Sequence, residues 1–176
     1  MKKMRVLAIA ATACALGVAG TAMVGASNGN GSERELSVKA PVTAYSAIPA
    51  PNPVTGVNAR VSAETGDGQT EASLTLRGFD RAYAGRTFGA HFHTGPCADG
   101  VTAGPHYQDS AVTTIPLEQR EVWLDFTVTA GGNAKSRAER HFELRPGGAK
   151  SIVIHANPTT PDGMAGARLG CISLEL

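Results

Sequence analysis

The chain has 176 residues and a net charge of +1. That is enough for one domain with a real core, and it leaves no basic footprint for nucleic acid. Its 21 Gly, 10 Pro and 5% aromatic content argue for a turn-rich fold in which helical periodicity is scarce.

Met1-Lys2-Lys3-Met4-Arg5 is basic, and residues 6–26 form an Ala-rich apolar run ending in Val24-Gly25-Ala26. Residues 1–26 therefore read as a signal peptide removed on export. An uncleaved anchor is the alternative, since the run could just span a bilayer. Its Gly and Ala content makes it weakly hydrophobic, which favours cleavage. Cys14 lacks an aliphatic residue three places before it, so a lipid anchor is not expected there. The expected location is extracellular or in the cell envelope, with no membrane span in the mature chain.

Loss of the leader removes Lys2, Lys3 and Arg5 and tips the balance slightly acidic. It also leaves Cys97 and Cys171 as the remaining cysteines. An exported protein with an even pair invites one disulfide, worth roughly 3–5 kcal/mol for a long loop. Two separate buried thiols are the alternative. Residues 27–53, rich in Ser, Asn, Gly, Ala and Pro, read as a flexible tether.

The domain is expected over residues 54–176. Residues 57–64 and 70–77 alternate apolar and polar as strands do, around a Gly66-Asp67-Gly68 turn. Residues 88–93 form the next strand, and residues 121–129 another. Residues 134–144 fit helix or strand by pattern. A preceding Gly131-Gly132-Asn133 turn and a following Pro146-Gly147-Gly148 favour strand. Residues 151–156 are β-branched and apolar, an interior strand, and residues 167–176 form the last. About eight short antiparallel strands between Gly and Pro turns indicate an all-β fold, a sandwich or Greek-key barrel.

Chemistry concentrates in the segment from Gly89 to Cys97. His91 and His93 share one face of a strand while Phe92 takes the other. Two such imidazoles can share a metal, or they can be exposed strand histidines. His106 follows in Gly104-Pro105-His106-Tyr107. His155 ends an apolar strand, where a lone His is ordinarily a hydrogen-bonded core residue. Arg168 lies three residues before Cys171. His141 sits in a charged stretch and reads as solvated.

The order Gly89-x-His91-x-His93, Cys97, Gly104-Pro105-His106-Tyr107, Val153-Ile154-His155 and Ala165-Gly166-x-Arg168-Leu169-x-Cys171 resembles the copper/zinc superoxide dismutase family. The likeness covers roughly residues 57–176. It implies a Greek-key β-sandwich and a Cys97–Cys171 disulfide. It implies copper held by His91, His93 and His155, with His106 as the histidine that bridges copper to zinc. Arg168 would guide the superoxide anion.

The chain departs from that family in two places. No histidine follows His106 before His141, so a tetrahedral zinc site lacks its ligands. The loop between His155 and Arg168 is short. Both departures resemble the copper-only branch, in which a carboxylate must replace zinc behind His106. Glu118 and Glu121 are the candidates, with Asp109 behind them. Four imidazoles also suit Cu(II) on chemical grounds. The expected function is thus an exported copper-dependent superoxide dismutase without zinc. The alternative is a non-catalytic copper carrier of the same fold, and retention of Arg168 separates the two.

Overall fold

The computed structural model describes residues 33–97, 103–111 and 113–174. The expected leader, with Cys14, lies outside them. In chain order the strands are β1 (Arg34–Pro41), β2 (Thr43–Ala44), β3 (Asn58–Gly66), β4 (Gln69–Arg77), β5 (Thr87–Phe88), β6 (Ala90–His93), β7 (Phe126–Thr127), β8 (Asn133–Arg140), β9 (Ser151–His155) and β10 (Arg168–Ser173). One turn of helix, α1, covers Leu117–Arg120. The expected all-β class holds.

Two four-stranded antiparallel sheets result, in the orders β1-β3-β4-β8 and β2-β10-β9-β6, with β5 and β7 paired separately. In β3 and β4 the alternation is strict: Val61, Ala63, Leu74 and Leu76 point inward. The turn joining them carries positive φ at Asp67 and Gly68, the geometry that matches strand twist in a tight hairpin. These side chains share one core with Phe92, Ile152, Ile154 and Ile172 of the second sheet. Burying each large apolar side chain contributes about 1.5–3 kcal/mol, which makes this sandwich core the main source of stability.

Strand β9 is buried along its whole length. Ile152 and Ile154 face the sandwich core. Val153 faces the other way, into a smaller cluster with Tyr45, Ala103 and Cys171. His155 shares that outer face, because residues two apart on a strand do. The register sets His91 opposite Val153 and Phe92 opposite Ile152. His91, His93 and His155 therefore lie together on the outer face of the second sheet, and loops bury them there.

Three expectations need correction. Residues 34–41 of the tether expected over 27–53 are strand instead, because β1 pairs with β3 along its full length. Leu36 and Val38 are buried, alternating with Glu35, Ser37 and Lys39. The sheet thus includes residues from Arg34, well before the expected start at residue 54, the polar and Pro-rich surroundings having masked a half-buried edge strand. The strand expected over 121–129 is regular only at β7. Upstream it makes single bridges, Glu121 to Gln108 and Trp123 to His91. The strand expected over 88–93 breaks at Gly89, where a Cβ would stand 2.7 Å from that of Ala165 and 2.9 Å from Asn157 O. That close approach brings the loop after β9 down against the histidine strand.

Candidate metal centre

β6 and β9 supply three of the imidazoles directly. His106 arrives from the loop that follows Cys97. That loop folds back on β6 through Thr94 N to Pro105 O (3.0 Å), Gly95 N to Ala103 O (2.7 Å) and Tyr107 N to Phe92 O (2.7 Å). His106 thereby bridges to His93. One ring nitrogen from each of His91, His93, His106 and His155 lies within 4.8 Å of the others. Metal–imidazole bonds of about 2.0–2.1 Å put pairs of ligand nitrogens about 3–4 Å apart, so the cluster has the size of one coordination sphere. The expectation of exposed strand histidines is excluded, since His91 and His93 have no solvent exposure and His155 has 4%.

The outward-facing nitrogens explain which lone pairs face inward. His93 Nδ1 donates to Gly104 O at 3.0 Å and His155 Nδ1 to Gly166 O at 3.3 Å. A carbonyl only accepts, so both rings carry their proton on Nδ1 and turn a bare Nε2 inward. His106 Nδ1 meets Glu121 Oε2 at 2.8 Å, which leaves its Nε2 bare as well. His91 is reversed: its Nε2 meets Thr159 Oγ1 at 2.5 Å and its Nδ1 faces inward. Inward nitrogens then oppose each other, His91 Nδ1 to His106 Nε2 at 3.1 Å and His93 Nε2 to His155 Nε2 at 3.4 Å. Facing lone pairs repel unless a cation lies between them. The donor set fits a metal ion.

Burial keeps His91, His93 and His155 neutral. It pushes His91 down to about 2, with the neighbouring imidazoles and Arg168 adding to the effect. Burial likewise takes His93 to about 3 and His155 to about 4, although their carbonyl partners pull the other way. Neutral imidazole is the form that binds metal.

Of the three carboxylates expected behind His106, one is there. Glu121 is 2% exposed and also accepts from Trp123 Nε1 and Gln108 Nε2, each at 2.6 Å. Burial alone would raise its pKa, but the bonds from His106, Trp123 and Gln108 hold it below the usual carboxylate range. Glu118 is exposed in the first turn of α1. Asp109 instead accepts from Ala111 N at 3.0 Å. Glu121 follows the end of α1 in extended backbone, off the helix pattern, and there it reaches His106 while Glu118 stays exposed.

Arg168 is the cross-strand partner of His155, and its Nη2 donates to Gly104 O at 2.8 Å. Cys97 and Cys171 are disulfide-bonded across 74 residues, tying the His106 loop to β10. Sequence reasoning missed Gln108, Trp123, Asp125 and Thr159. Asp125 carried a signal, being a carboxylate inside an apolar run. Thr159 carried none. In comparison with known proteins, no family model and no curated protein matches the chain.

Proposed function

We propose that the chain is a copper-dependent superoxide dismutase that works without zinc. The observation that carries this reading is the set of four converging imidazoles, with a fixed arginine on the adjoining strand. Nitrogen ligands of this kind serve both copper oxidation states. His91, His93, His106 and His155 would hold the ion. Bound there, copper supplies reversible one-electron chemistry, and two superoxide anions with two protons give dioxygen and hydrogen peroxide.

The chain's own residues account for the rest. Arg168 supplies a permanent charge and a planar fork of donors to draw in and orient a small anion. Its charge reaches His91, His93 and His155, whose protonated forms it disfavours. Glu121 accepts the hydrogen bond from His106 Nδ1, in the place where the resemblance would put zinc. Trp123 and Gln108 hold that carboxylate still, as outer partners of metal ligands commonly do. A disulfide and the basic, apolar start of the sequence support export.

The test is elemental analysis of the purified protein together with a superoxide consumption assay. About one copper per chain and rapid consumption are expected. Stoichiometric zinc beside copper would overturn the zinc-free reading. Bound copper without turnover would favour a copper carrier.

A further inference from the structure

Three of the four inward lone pairs are fixed by groups that can only accept: Gly104 O, Gly166 O and the Glu121 carboxylate. The fourth is not. His91 Nε2 faces a hydroxyl, and a hydroxyl can donate or accept. If Thr159 donated to Nε2, the ring proton would move to Nδ1 and point into the cluster. The His91 lone pair would then be lost to the metal.

The structure shows what prevents that. Thr159 Oγ1 lies 2.6 Å from Asp125 Oδ1. The same carboxylate accepts from Thr159 N at 2.7 Å and from Ala90 N at 3.2 Å. A threonine hydroxyl has one proton. With a carboxylate on one side, that proton goes to Asp125, and only a lone pair remains for His91 Nε2. Asp125 itself stays 3.8 Å from His91 Nε2, beyond hydrogen-bond range, so it acts through Thr159.

We propose that Asp125 and Thr159 are positioning residues that set the tautomer of His91 and so complete the metal site. Asp125 polarises the hydroxyl, and Thr159 passes that polarity to the ring. The two backbone bonds clamp the Thr159 loop to the start of β6, next to His91. The proposal rests on the metal-site reading for its purpose, but not for its first readout.

The test uses the intact protein stripped of metal, with long-range proton–nitrogen NMR reporting which ring nitrogen of His91 carries hydrogen. A second readout is copper(II) affinity by chelator competition. Wild type and Thr159→Ser should both show hydrogen on Nε2 and bind copper alike. Thr159→Val, nearly the same shape without the hydroxyl, should lose that preference and bind copper about 10–100-fold more weakly. Asp125→Ala removes the acceptor, so the hydroxyl is free to donate to the ring. It should weaken the Nε2–H preference and let hydrogen move to Nδ1, which also keeps the test open if Thr159→Val fails to fold. Thr159→Val and Asp125→Ala proteins that retain Nε2–H and full affinity would overturn the relay. Wild type with Nε2–H but no copper affinity would support the relay while sinking the copper reading.

Discussion

Gly104 O accepts from His93 Nδ1 at 3.0 Å and from Arg168 Nη2 at 2.8 Å. One carbonyl thus fixes both the tautomer of a metal-site histidine and the position of the cation beside it. Arg168 is thus held beside the imidazoles through a backbone carbonyl. Arg168→Ala should keep copper binding yet lower the rate per bound copper by about tenfold or more, and Arg168→Lys should keep part of it. The wild-type rate should fall with added salt, since the Debye length is about 8 Å at physiological ionic strength. Steady-state rates normalised to copper content check this. Full activity in Arg168→Ala would remove the guiding role.

Glu121 is the hub of a different group, taking bonds from His106, Gln108 and Trp123. Glu121→Ala leaves three buried or half-buried donors without an acceptor. The expected loss is about 10–100-fold in copper affinity and about 1–3 kcal/mol in stability for each donor left dry. Glu118→Ala, on the exposed first turn of α1, should change neither. Chelator competition and urea unfolding on both variants measure the contrast; equal losses in the two would contradict the assignment.

The Cys97–Cys171 bond closes a span of 74 residues. In the chain-entropy account a loop of that size is worth about 4 kcal/mol. Replacing both cysteines by serine should lower the unfolding free energy by that order and loosen the loop bearing His106. Peptide mapping after thiol labelling without reductant should find neither Cys97 nor Cys171 modified. Reactive thiols at both positions would rule the bond out.

Acid should destabilise the metal-free protein. Folded His91, His93 and His155 titrate at about 2, 3 and 4, whereas unfolded histidine titrates near 6.5. Below that value the unfolded chain binds protons that the folded one refuses. The contribution is therefore complete above about pH 6.5 and is lost as pH falls, by up to about 1.4 kcal/mol per unit for each ring. Melting temperatures of chelator-treated protein should drop steadily from neutral pH toward the His155 value of about 4. A flat profile would mean that the rings are not held neutral.

The strand pattern was legible where it is local. Alternation in β3 and β4, the apolar run of β9 and the shared face of His91 and His93 follow from a two-residue period and need no partner. The candidate ligands were legible too, because histidines are scarce and fall in a recognisable order. What tertiary structure decided was every question of which group meets which across the chain. β1 shows its half-buried face only once β3 lies beside it. Glu121 and Glu118 are equivalent in composition, and the end of α1 decides which one reaches His106. Thr159 has no signature at all, since a hydroxyl acquires direction only from the carboxylate that folding sets against it. Periodicity is a property of neighbouring residues and survives in the sequence. The direction of a hydrogen bond belongs to a pair brought together by chain reversal, and it exists only in the fold.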